Sequence, residues 1–160
     1  MPTGKWKTEK GEFIRAVSSF RDWVTADSSD GSYKAEPDRY HLYISHACPW
    51  AHRTMIVRKL KGLEHIISVS VVNPVMPADS WVFDESFDGA TADHINGFDH
   101  MYQVYLQAEP GFDGLVTVPV LWDKKTGSIV NNESSEIIRM LNSAFDEYAE
   151  NPKLDLYPEA

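Results

Sequence analysis

The sequence predicts an α/β domain of order β-α-β-α-β-β-α behind an N-terminal extension, and three observations predict it. An alternating segment at 40–44 runs through a single cysteine into a helix that begins with proline. A β-branched run at 66–72 follows that helix as a second strand. Near the end, a turn at 124–127 divides two strand-like segments and leads into a helix with one apolar face.

With 160 residues the chain suits one domain with a true core. Its 42% hydrophobic and 24% charged residues are those of an ordinary globular protein. A net charge of −9 argues against nucleic acid or an anionic membrane as main partner, while leaving room for a small anionic ligand at a local basic patch. No apolar run approaches a membrane span, and the start, MPTGKWKTEKGEF, has no apolar signal-peptide core. One cysteine forms no internal disulfide, so the expected compartment is reducing and cytoplasmic.

Residues 1–36 read as the extension and 37–160 as the domain. In the extension Phe13, Val17, Phe20 and Val24 have roughly helical spacing, but TADSSDGSYKAEPD is loop composition. The expectation is a segment laid across the domain surface on a few aromatic anchors. Tyr40, Leu42 and Ile44 alternate with His41 and Tyr43 as the first strand of the domain. Pro49 suits the first position of the next helix, Ala51, Met55, Ile56 and Leu60 can share a face, and Gly62 is a stop. The strand at 66–72 should lie parallel to the first across a crossover. After an irregular stretch holding Trp81 and Phe83, a helix fits 93–108, with Ile95, Phe98, Met101, Tyr102 and Tyr105 at core spacing. VTVPVLWD, 116–123, reads as a strand that contains a proline, SIV returns antiparallel, and NNESSEIIRMLNSAF opens the last helix.

Cys48 falls between the first strand and the first helix, immediately before Pro49. It is a candidate N-cap, with unpaired N–H groups and the positive end of the helix dipole at its sulfur. That setting favours the thiolate, the reactive form of the side chain; the alternative is a small buried apolar residue. Pro119 in VTVPVLW requires either an edge strand or a cis peptide that turns the Val118 backbone outward toward a ligand. Glu133 and Ser134 either cap the last helix or help its N–H groups hold a carboxylate.

Taken together, CPWAHR, VTVPVLWDKKTGSIVNNES and EIIRMLNSAFDE resemble the thioredoxin-like domain of glutathione transferases, and more narrowly the omega-like Xi class, the glutathionyl-hydroquinone reductases. FIRAVSSFRDWV is similar to the long N-terminal extension of that class. The resemblance implies a thioredoxin-like fold and Cys48 as nucleophile. It implies a glutathione site from Trp81, the Val116, Thr117 and Val118 backbone, and Glu133 and Ser134 at the γ-glutamyl end, with Pro119 as a structural cis-proline. Glutathione would be a co-substrate, with no bound cofactor and no metal, and the parent enzyme a homodimer.

Two departures stand out. Leu115 takes the place of an arginine, which removes a fixed cation suited to a carboxylate. The chain also ends at NPKLDLYPEA, where members of the class continue into an all-helical domain. The expectation is the thioredoxin-like domain without its helical partner.

Rival readings are a cysteine hydrolase using His46 or His52, and a metal site drawn from His41, His46, Cys48 and His52. Others are a glutaredoxin-like thioltransferase or dehydroascorbate reductase, and a non-catalytic glutathione-binding module. One cysteine at a helix N-terminus is the minimum for monothiol exchange, because the second thiol arrives from solution.

Overall fold

The structure is a computed structural model describing residues 7–9, 12–14, 17–76 and 80–159, with side chains from residue 17 onward. Two short strand pairs precede the main sheet. Antiparallel β1 (Lys7–Glu9) and β2 (Glu12–Ile14) form the first, and parallel β3 (Val24–Thr25) and β4 (Tyr33–Lys34) the second. The domain then runs β5 (Tyr40–Ile44), α1 (Pro49–Leu60), β6 (Ser68–Val71), α2 (Met101–Ala108), β7 (Val120–Asp123), β8 (Ser128–Asn131) and α3 (Ser134–Ser143). Its four strands form one mixed sheet in the order β6-β5-β7-β8, with β5 parallel to β6 and antiparallel to β7. This is the thioredoxin-like arrangement expected from the element order. Helix α1 packs on α3, and α2 rests against β8.

All five residues of β5 are buried, including the polar phase of its alternation. A central strand covered on both faces has no solvent side, so the half-buried pattern misleads here. His41 is the telling case. Its ring nitrogens bond to the Ser68 and Ser70 hydroxyls at 2.7 and 2.9 Å. Burial pushes its pKa down to about 3, helped by the positive charge of Lys124, His94 and Arg58. Between the unfolded value near 6.5 and that folded value, the unfolded chain binds a proton that the native chain refuses. Stability is therefore expected to fall as pH drops below about 6.5, by up to about 1.4 kcal/mol per pH unit. Asp123 and Glu136, both held below the usual carboxylate range, act in the same direction but only near pH 4 and below. Urea melts between pH 6.5 and 5 isolate the histidine: His41→Gln should flatten that slope, and an unchanged slope would reject the assignment.

Two elements differ from expectation. The helix expected over 93–108 begins only at Met101. The Asp93 carboxylate takes the N–H groups of Ile95, Asn96 and Phe98 and winds 93–98 into turns, with Gly97 at φ +70. Gln103 Oε1 then accepts the His100 N–H at 2.9 Å and starts the helix. The strand expected over 116–123 begins at Val120, where pairing with Tyr43 starts, because Pro119 offers no N–H to the ladder.

The extension, expected as a segment laid across the domain surface, shows no helix within 17–36 despite its apolar spacing. It runs instead beside β8. The Asp22 N–H donates to Val130 O at 3.0 Å, and the Asn132 N–H to Phe20 O at 3.1 Å. Backbone groups that a helix would have paired internally are satisfied by the sheet edge. Phe20 packs edge-on to Tyr105 with ring centres 5.7 Å apart. Phe13 falls in β2, where side chains are outside the described residues.

Candidate active site around Cys48

Cys48 caps α1 in extended backbone geometry (φ −98, ψ 112), and no side chain closes the cap. Pro49 occupies the first helical turn, where a missing N–H costs nothing. The Cys48 thiol lies 3.4 Å from the Val118 carbonyl oxygen, toward which its S–H is directed. It is half-buried and free of any disulfide. A cavity of about 470 Å³ opens over it. One wall is the α1 start with Cys48 and Trp50, another is Thr117, Val118 and Pro119, and Trp81 supplies a third. The Val118–Pro119 bond is cis.

Each wall has a support. Trp81 comes from the irregular stretch but is held by α2, whose Met101 N–H donates to its carbonyl at 2.9 Å. The Thr117 backbone is fixed by the fully buried Tyr105. That hydroxyl donates to Thr117 O at 2.8 Å and accepts from Thr117 N at 3.2 Å and Asn132 Nδ2 at 3.1 Å. Burial raises the Tyr105 pKa, so this hydroxyl stays protonated as a donor.

Of the residues expected at the site, the structure brings Cys48, Trp81, Thr117, Val118 and Pro119 around one cavity. Val116 packs partly buried against the core instead. Glu133 and Ser134 do not line the cavity; they open α3 directly after Asn132, which does. Glu133 is the α3 N-cap and accepts the Ser135 N–H at 3.2 Å. Ser134 is buried, and its hydroxyl receives Arg53 Nε and Nη2 at 3.0 and 2.6 Å.

Sequence reasoning missed Arg53, which also lies 3.7 Å from Glu133. Its signal was available: it stands one turn after Pro49 in CPWAHR, on the helix that carries the cysteine. It also missed Ser18 and Asn132, whose presence at the cavity depends on long-range pairing. Leu115, read as a missing cation, contributes an apolar wall. The histidines do not assemble with Cys48. His41 is engaged by Ser68 and Ser70 within the sheet, while His46 and His52 are exposed. No group of three or more metal-ligating side chains occurs among the described residues, and no helix among them is long and apolar enough to cross a membrane.

A thiol at a helix start, beside an apolar cleft and the Thr117–Val118 backbone, can bind a peptide-like thiol and exchange with its sulfur. The family model "Glutathione S-transferase, N-terminal domain" matches residues 47–144. The chain is 57% identical over 159 residues to a glutathionyl-hydroquinone reductase of Escherichia coli (strain K12), covering 96% of this chain and 48% of that protein. It is 51% identical over 152 residues to a glutathionyl-hydroquinone reductase of Sphingobium chlorophenolicum, covering 95% and 46%. The Xi glutathione S-transferase of Phanerochaete chrysosporium superposes with a TM-score of 0.86 at 52% identity, over 91% of this chain and 49% of that one. The glutathione-bound structure of an Escherichia coli K-12 glutathione transferase homologue superposes with a TM-score of 0.82 at 58% identity, over 88% and 47%. The chain spans about half the length of the curated relatives it matches.

Proposed function

Since the chain belongs to the glutathione S-transferase family, we propose that it carries the glutathione site and nucleophile of a glutathionyl-hydroquinone reductase. The observation that carries the reading is Cys48 at the start of α1, in a cavity walled by Trp81 and the Thr117–Val118 backbone. In enzymes that only conjugate glutathione, the protein activates glutathione's own thiol and needs no cysteine. A cysteine here supports exchange at sulfur instead.

In the proposed reaction the Cys48 thiolate attacks the sulfur of a glutathionyl-hydroquinone. A sulfur–sulfur bond forms while the carbon–sulfur bond breaks, and the ring carbon keeps the electron pair and takes a proton. The products are free hydroquinone and a Cys48–glutathione mixed disulfide. A second glutathione, as thiolate, attacks the glutathione sulfur of that disulfide, giving oxidised glutathione and restoring the Cys48 thiolate. Its proton balances the one taken up by the ring. Overall the ring carbon is reduced from C–S to C–H, and the substrate's glutathionyl group joins one free glutathione as the oxidised disulfide.

Within the site, the backbone at Val118 would pair with the cysteinyl part of glutathione, Trp81 would pack on the peptide, and Glu133 with Ser134 would anchor the γ-glutamyl end. Glutathione is thus a co-substrate, and the electrophile a glutathionylated hydroquinone. The whole protein would act as a cytoplasmic homodimer. Residues 1–36 would serve as an extension to a domain formed by 37–160.

The test is glutathione-dependent reduction of glutathionyl-menadiol, the hydroquinone form of the conjugate, read as menadiol formed and oxidised glutathione released in equal amounts. Dehydroascorbate and a mixed disulfide of glutathione with a small thiol serve as rival electrophiles. Preferred turnover of the glutathionyl-hydroquinone supports the proposal. Preferred turnover of either rival would reassign the chain to thioltransferase chemistry. Intact mass separates a lost acceptor pocket from a lost nucleophile, because a competent Cys48 still gains one glutathione.

A further inference from the structure

One wall of the cavity over Cys48 comes from the segment ahead of the domain. Val17, Ser18 and Ser19 line it. The segment is brought there by its own anchors, the backbone pairing of Phe20 and Asp22 with Asn132 and Val130 and an Arg21–Glu136 ion pair. The Phe20 N–H also donates to Asn132 Oδ1 at 3.1 Å. Val17 is 82% exposed, so it is a rim residue rather than a core anchor. Ser18 is different: its hydroxyl donates to Glu133 Oε2 at 2.9 Å. The other carboxylate oxygen accepts from the Ser135 N–H and hydroxyl at 3.2 and 2.9 Å. Ser18 lines the cavity, and Glu133, which does not, is joined to it through the bond with Ser18.

From this placement we infer that residues 17–19 are a wall of the thiol site and that Ser18 is a positioning and specificity-determining residue for the amino-bearing end of the bound thiol. The inference rests on the glutathione reading above. An ammonium entering the cavity meets the Ser18 hydroxyl first, with the Glu133 charge behind it. Ser18 fixes one carboxylate oxygen while Ser135 fixes the other, so the charge is held in one direction. A thiol with a free α-amino group, as in a γ-glutamyl peptide, is favoured over one whose amine is blocked.

The test uses the 160-residue chain and three readouts. Intact mass follows uptake of one glutathione by Cys48, from oxidised glutathione and from its N-acetylated form. Iodoacetamide alkylation reports the intrinsic reactivity of Cys48. Hydrogen exchange follows the amides of residues 17–19. Ser18→Ala is expected to raise the half-saturating concentration of oxidised glutathione about tenfold, the scale of one hydrogen bond to a charged group, and to erase most discrimination against the N-acetylated form. Ser18→Thr should restore both, and alkylation should stay within twofold in both variants. Glutathione uptake should also slow exchange at residues 17–19. If the unaltered chain acquires no glutathione, the glutathione reading falls and takes this inference with it. If it does acquire glutathione but Ser18→Ala matches it in saturation and discrimination, the inference alone is overturned.

Discussion

Replacing Cys48 with serine is expected to make the protein more stable and inactive at once. The α1 N-cap has the extended geometry that serine, threonine and aspartate exploit, yet the cysteine closes no cap bond. A serine hydroxyl reaches the free donors of the first turn far better than a thiol, a gain of about 1 kcal/mol. For a chain of this length that raises the thermal midpoint by about 2–4 °C. Glutathione uptake and hydroquinone release should fall at least about a thousandfold, the scale of removing a covalent nucleophile. Cys48→Ala should lose the same activity without the gain, since alanine caps no helix. Thermal melts and intact mass on the two variants check this together. A serine variant that melts below the alanine variant would mean that the cysteine does not sit at a true cap. Residual turnover in either variant above about one thousandth would remove Cys48 from the mechanism. The trade is a familiar one: a position that could stabilise the fold is given to chemistry instead.

How much of this was legible in the sequence depends on how local the cause was. Helix α1 was readable because its start and stop are written in adjacent residues: Pro49 at the first turn and Gly62 at φ +66 after the last. The hairpin of β7 and β8 was equally local, its turn carried by residues 124–127 and closed by Gly127 at φ +65. The start of α2 was misjudged because Asp93 spends its carboxylate on three N–H groups of a turn, a choice that apolar periodicity does not register. For the site, the local motif around Cys48 was plain. The roles given to Trp81, Val118 and Glu133 came from resemblance rather than from pattern. Ser18 and Arg53 escaped for different reasons. Arg53 lies one turn from Pro49 and was overlooked, whereas Ser18 reaches Glu133 across 115 positions of sequence. No periodicity in the extension encodes that meeting. It depends on Phe20 and Asp22 finding the free edge beyond β8, which is decided only when the sheet exists.

Tyr105→Phe carries the largest expected loss of stability, and its cause lies on the same long-range side. The ring itself would be kept, along with its packing on Phe20 and Phe112 at 5.7 and 5.0 Å between centres. Only the oxygen goes, and four groups depend on it: Thr117 O, N and Oγ1 and the Asn132 amide. Each buried polar group left unpaired costs about 1–3 kcal/mol, while Thr117, being less than fully buried, can recover part of that from water. The net loss should be about 2–4 kcal/mol, read as a lower urea midpoint at unchanged slope. The consequence reaches the cavity. Thr117 precedes the Val118 carbonyl that lies 3.4 Å from the Cys48 sulfur, and Asn132 pairs with the extension at Phe20. One oxygen therefore ties together the wall opposite the nucleophile and the segment that brings Ser18 to the cavity. Glutathione uptake should weaken in Tyr105→Phe, with alkylation of Cys48 by iodoacetamide changed far less, because the sulfur is held by α1 rather than by this network. Stability within about 0.5 kcal/mol of the unaltered chain would show that the four groups find other partners. Equal loss in uptake and alkylation would show that the disturbance reaches α1 itself.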